Sequence, residues 1–178
     1  AQITKNLWLE INPEAKSKIA LHSVPGLLLF GNVTGADRGT HVMNGLLYGV
    51  MGTTFYSMDS TGADTAIGTV AGADRCIFAN DGTQLVIATG DTPYIYTVAD
   101  GLVVIDEPNL TKPTSVDYLN KKFILDNNRG FPGEFVTTLV NEAFNVNALD
   151  FAIAESHPDD IIRVLTFREY VYFFGSKT

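Results

Sequence analysis

A strand, turn and strand unit returns at near-constant spacing along this chain of 178 residues. Leu46-Leu47-Tyr48-Gly49-Val50-Met51-Gly52-Thr53-Thr54-Phe55-Tyr56 is echoed by Gln84-Leu85-Val86-Ile87-Ala88-Thr89-Gly90-Asp91-Thr92-Pro93-Tyr94-Ile95-Tyr96, which puts the turn glycines Gly52 and Gly90 38 positions apart. A half-finished version, Tyr170-Val171-Tyr172-Phe173-Phe174-Gly175-Ser176-Lys177-Thr178, ends the sequence. Short β-branched and aromatic runs bounded by glycine turns, repeating at roughly 40 residues, match the blades of a β-propeller. A blade cannot bury both faces of its sheet alone, so such a repeat implies neighbours on either side.

The repeat sets the fold class as all-β, a propeller of four-stranded blades of which about three and a half are present. Residues 1–38 form an N-terminal segment and first strand. Residues 39–178 form the partial propeller, with blades at about 40–72, 74–108, 114–154 and an incomplete one at 161–178. The second blade shows its four strands most clearly, over Arg75 to Ala79, Gln84 to Thr89, Tyr94 to Val98 and Leu102 to Asp106. The best helical signal is Pro13 to Ala20, a turn or two with Pro in the first turn. A β-sandwich with regular hairpins is the competing fold, but a sandwich has no need of a constant period. The aromatic edge at Tyr170 to Thr178 is a poor natural terminus, because unpaired edges recruit other strands. Its last strand is expected to be paired from outside this sequence or poorly ordered.

Apolar residues make up 46% of the chain and charged ones 18%, which describes a folded protein and argues against disorder. Twelve Lys and Arg face 20 Asp and Glu, giving a net charge of −8 with the basic residues dispersed, so tight electrostatic binding to DNA or an anionic membrane is disfavoured. Cys76 is the only cysteine, which excludes an internal disulfide and fits folding in a reducing cytosol. Leu27-Leu28-Leu29-Phe30 is far shorter than the ~18 apolar residues of a spanning helix. No leader pattern follows Ala1, so the start is read as a processed, cleaved or unassigned terminus.

Chemistry-bearing patterns are sparse. There is no Gly-x-Ser-x-Gly elbow, and Cys76 lies in an apolar strand pattern that reads as a buried structural thiol even with Arg75 beside it. His22, His41 and His157 show no metal-ligand spacing. Asp59-Ser60-Thr61-Gly62-Ala63-Asp64 lacks the acid alternation and distal Glu of a calcium loop and reads as a hairpin turn. The paired acids Asp106-Glu107 and Asp159-Asp160 are raw material for a glycosidase, but adjacent acids in a turn are ordinarily solvated. The glycines follow no phosphate-loop spacing. The chain is therefore read as a non-enzyme with no catalytic, metal or cofactor residues. The rivals are a sialidase-like propeller enzyme, which would gather carboxylates and a tyrosine at one mouth, and a glycan-binding propeller.

Three stretches together carry a resemblance that spacing alone does not. They are Pro25-Gly26-Leu27 with Arg38-Gly39, Leu47-Tyr48-Gly49-Val50, Gly52 and Phe55-Tyr56; then Leu149 to Ile161; then Tyr172-Phe173-Phe174-Gly175-Ser176-Lys177-Thr178. In order and spacing they resemble the packaged-DNA stabilization proteins, or tail accessory factors, of short-tailed Salmonella-type phages, over about Trp8 to Thr178 and roughly the N-terminal half of such a protein. The resemblance implies a β-propeller subunit of a hexameric ring in the virion tail, assembled after folding in the host cytoplasm. That ring lies below the portal and its adaptor, retains the packaged DNA, passes it without sequence-specific binding, and joins tail needle and tailspikes to the head. The loop Asn127-Asn128-Arg129-Gly130-Phe131-Pro132-Gly133 is the best loop candidate for assembly contacts, with Asn127, Asn128, Arg129 and Phe131 as candidates, although an ordinary inter-strand loop that packs Phe131 on its own domain is the plainer reading.

Overall fold

A computed structural model describes residues 7–14, 16–23, 28–127, 131, 133–154 and 159–176. Two compact units divide the chain, Ala1–Phe30 and Gly31–Thr178. In the first, β1 (Leu7–Ile11) pairs antiparallel with β2 (Ile19–Ser23), Leu9 opposite Leu21. This corrects the helix expected at Pro13 to Ala20. The connection is instead a hairpin turn in which the Asn12 amide donates to the Lys18 carbonyl at 3.1 Å. The reason is periodicity: Leu9 and Ile11 find their cross-strand apolar partners in Leu21 and Ile19 at a spacing of two, whereas residues 13–18 offer no apolar stripe for a helix to bury.

The second unit is a series of antiparallel meanders. β3 (Asp37–Met43), β4 (Leu46–Met51), β5 (Thr54–Met58) and β6 (Asp64–Thr69) make the first blade in that order. β7 (Ile77–Asn80), β8 (Gln84–Ala88), β9 (Tyr94–Thr97) and β10 (Gly101–Val104) make the second. β11 (Val116–Leu119), β12 (Lys122–Asp126), β13 (Glu134–Leu139) and β14 (Glu142–Ile153) make the third, and β15 (Ile161–Phe167) with β16 (Tyr170–Gly175) a fourth of two strands. The first strands β3, β7, β11 and β15 contact one another in sequence, as the inner strands around a propeller axis do. Asn44 and Gly45, at φ 52° and 80°, form the left-handed two-residue turn that suits the twist of a hairpin between β3 and β4.

The core lies between blades. Tyr48, Val50 and Phe55 of the first blade pack with Leu85, Ile87 and Tyr94 of the second. Tyr96 meets both Tyr48 and Phe55 at ring-centroid distances of 5.4 Å, the tilted and edge-on arrangements that aromatic quadrupoles favour. Val86, Ala88 and Ile95 point the other way and join Val116, Phe123, Leu125 and Val136 of the third blade. The second blade is thus apolar on both faces, which explains why β8 reads as the continuous run Leu85-Val86-Ile87-Ala88. Phe55 is fully buried. Phe55→Ala is expected to lower unfolding free energy by about 3–5 kcal/mol in urea denaturation, because it opens a cavity at the joint between two blades.

Candidate functional site

The rim of the second unit that carries the crossovers between blades holds several of its buried polar groups, Arg38, Asp126 and Asn127 among them. Arg38, on β3, is 4% exposed and has no carboxylate partner among the described residues. Its guanidinium donates instead to four carbonyls: Nε to Asp74 at 2.7 Å, Nη1 to Gly52 and Val70 at 3.0 Å each, and Nη2 to Ala71 at 2.9 Å. A planar fork of donors suits this task, since it gathers the β4–β5 turn and the crossover into β7 around one cation. Next to it, Gly39 has φ 149°, and a Cβ there would lie 2.5 Å from the Cys76 carbonyl oxygen. The Arg38-Gly39 pair therefore does two jobs at one crossover. Cys76 is buried beside it, and burial pushes its thiol pKa up against the opposing pull of Arg38.

The crossover into the third blade is held by another set. Asp126 accepts from the Thr114 and Ser115 amides at 2.8 and 2.7 Å and from the Thr114 hydroxyl. Burial raises its pKa, and those hydrogen bonds oppose the rise. Asn127 donates to the Asn109 carbonyl at 2.8 Å and to Glu134, and accepts from the Thr111 amide at 2.7 Å. At 3% exposure its side chain is engaged within its own chain, which corrects its expected place among surface contacts. Asn128 and Arg129 lie outside the described residues. Phe131 is 57% exposed and remains an accessible apolar group on this rim.

Asp126, Glu134 and Asp160 line one cleft with Thr114, Asn127, Phe131, Gly133 and Ile161. Its volume of about 40 Å³ has room for a water molecule or two, far from a sugar ring, and two of its carboxylates are engaged by the crossover. Tyr48, Tyr56 and Tyr94 are buried in the blades, away from this cleft. Asp59 caps its own turn, accepting from the Thr61 amide and hydroxyl at 2.8 and 2.7 Å and the Ala63 amide at 3.1 Å, and these bonds lower its pKa. His22 pairs with Glu10 at 2.8 Å in the first unit, and His157 lies outside the described residues. Among the described residues no group of three or more His, Cys, Asp or Glu is placed to hold a metal ion.

Near the axis the inner strands are joined by polar contacts. The His41 Nε2 meets the Asn80 side chain at 2.6 Å, and the Thr166 amide donates to Asp117 at 2.6 Å. The Ser115 hydroxyl, fully buried, accepts from the Val164 amide at 2.9 Å. Burial lowers the His41 pKa, with Asp117 pulling it back up.

The whole chain, residues 1–178, matches the family model described as Bacteriophage P22 Gp10, beta-propeller. The chain belongs to this family. As a member of the Gp10 family it is a phage structural protein with a β-propeller fold. No curated protein matches its sequence. Among solved structures the computationally designed Ika4 protein is similar with a TM-score of 0.61 at 8% identity, over 85% of this chain and 94% of that one. The N-terminal domain of Nup159 is similar with a TM-score of 0.51 at 9% identity, over 84% of this chain and 38% of that one. A chain of the S. cerevisiae dbp5 complex with nup159 and gle1 gives 0.50 at 11% identity, over 82% and 37%. At these identities the likeness is one of fold.

The Arg38-Gly39 pair thus has a physical content that its sequence did not disclose, because one buried cation answered only by carbonyls has no partner residue type to look for. Arg38→Ala is expected to cost about 3 kcal/mol in urea denaturation by leaving buried carbonyls unpaired, and Arg38→Lys to recover less than half of it. Because folding lowers the His41 pKa, the unfolded chain binds the proton more tightly. Stability is then full above pH ~6.5 and declines as pH falls from there through the lower folded value; His41→Gln should remove that part of the profile.

Proposed function

We propose that this chain is part of a tail hub subunit, a component of a hexameric ring below the portal and its adaptor that extends the DNA conduit and retains the packaged genome. The observation that carries the reading is the match of residues 1–178 to the Gp10 family. Two properties of the chain support it. A net charge of −8 with dispersed basic residues suits a wall that lets DNA pass, since each phosphate neutralised by Lys or Arg adds affinity regardless of sequence. The crossover rim devotes its buried polar groups to holding its own backbone, and its acidic cleft has no room for a sugar.

In this reading the protein folds in the host cytoplasm, joins the virion, and meets the portal adaptor, the tail needle and the tailspikes. Phe131, the exposed apolar residue of the crossover rim, is the proposed contact with a neighbour. Electron microscopy of phage particles should show density for this protein as a ring on the tail axis, and particles lacking it should lose their DNA. Phe131→Asp should reduce incorporation into particles. A protein dispensable for genome retention, or absent from the tail axis, would sink the proposal. Purified protein should also fail to retard duplex DNA in a gel at low salt.

A further inference from the structure

The crossovers occupy one rim of the second unit, and the opposite rim is built from hairpin turns. Four of these turns, β3–β4, β7–β8, β9–β10 and β13–β14, surround a groove of about 570 Å³ shared by the first three blades. Its size is that of sites that take a ligand or an inserted side chain. Every part of it belongs to a complete four-stranded sheet.

Polar latches hold the turns in place. The Asn44 side chain donates to the Gly82 carbonyl at 2.6 Å and ties the first blade to the second. Gln84 ties the second to the third, its Nε2 donating to the Asn141 carbonyl and its Oε1 accepting from the Ala143 amide, both at 2.9 Å. Asp81 closes its own turn by accepting from the Thr83 and Gln84 amides at 2.7 Å each. The groove is therefore pre-formed, and little ordering entropy is lost when something binds there.

What the turns present is not ordinary turn chemistry. Val98 and Ala99 stand at the tip of β9–β10, where Gly, Asn, Asp or Ser is the usual choice, and Val98 is 80% exposed. Val140, beside Asn141 at the tip of β13–β14, is exposed as well. Met43 is the buried apolar member of the lining, and its flexible thioether adapts to varied apolar neighbours. Asp100 and Glu142 complete the lining, both exposed, and no Lys or Arg shares it. Asp100 accepts from the Thr97 hydroxyl at 2.8 Å and Glu142 from the Asn145 side chain, but neither has an ion-pair partner among the described residues. The Lys121 carbonyl accepts from the Asn141 amide at 2.8 Å, yet Lys121 does not line the groove.

We propose that this groove docks a segment of a partner protein that carries an apolar side chain beside a Lys or Arg. The apolar side chain enters among Met43, Val98 and Ala99, and the cation meets Asp100 and Glu142. Charge complementarity selects this occupant. Carboxylates at the groove repel the phosphates of a nucleic acid, and a wholly apolar ligand would desolvate them without supplying a partner. The contact lies on the rim opposite Phe131, goes beyond the tail hub reading and does not rest on it.

A peptide library displayed on yeast and sorted against the 178-residue protein tests the proposal, with circular dichroism of each variant as the control for folding. Enriched peptides should carry an apolar residue beside a Lys or Arg. Val98→Asp and Glu142→Lys, both at exposed positions, should each weaken their binding at least ~10-fold. An enriched peptide with its Lys or Arg changed to Glu should bind Glu142→Lys better than it binds the wild type. Raising the salt from ~0.05 to ~0.5 M should weaken the native pairing several-fold. A library that returns no binder, or binders that lack a basic residue or hold Val98→Asp as tightly as the wild type, overturns the proposal. So does self-association in sedimentation velocity that Val98→Asp abolishes, which would give the groove to a second copy.

Discussion

Each sheet of the second unit must hide two faces, and one sheet's face is another's cover. The second blade shows the constraint at its fullest, with Leu85 and Ile87 in one cluster and Val86 and Ala88 in the next. None of these strands has a stable existence apart from its neighbours, since an isolated meander would leave half of its apolar side chains in water. Stability is therefore passed from blade to blade. Whatever sets the angle and spacing of adjacent blades decides how well every side chain in the shared cores fits.

That spacing is set at the crossovers, and by polar chemistry. Arg38 draws together carbonyls from the β4–β5 turn and from the strap into the second blade, while Asp126 and Asn127 do the same for the strap into the third. The two solutions use opposite charge for one mechanical end. A cation caged by carbonyls and a carboxylate capped by two amides and the Thr114 hydroxyl are both satisfied without an ion pair. Near the axis, His41 with Asn80 and Ser115 with Val164 add polar contacts between inner strands.

Much of this architecture was legible in the chain. The period between Gly52 and Gly90 and the alternation in the strands are local properties, and the strands of the second blade lie within a residue or two of where they were expected. The helix at Pro13 to Ala20 misled because proline favours a helix start and a hairpin turn alike, and the choice rests on cross-strand pairing several residues away. Asn127 misled for a related reason. In a loop rich in Asn, Gly and Pro it reads as solvated, and its burial follows from Asn109, Thr111 and Glu134 converging on it from other elements.

Repeat length, strand alternation and net charge are written residue by residue, so the propeller class and the absence of a strongly basic surface needed no coordinates. The uses of Arg38, Asp126 and Asn127 were not written that way. A buried polar side chain is defined by the carbonyls and amides that reach it, and those belong to turns brought together only when one blade has packed on the next. The inequality of the two faces of β15 and β16 is likewise a tertiary fact, because every aromatic residue there looks alike until Phe135 takes up Phe173 and leaves Tyr172 outside.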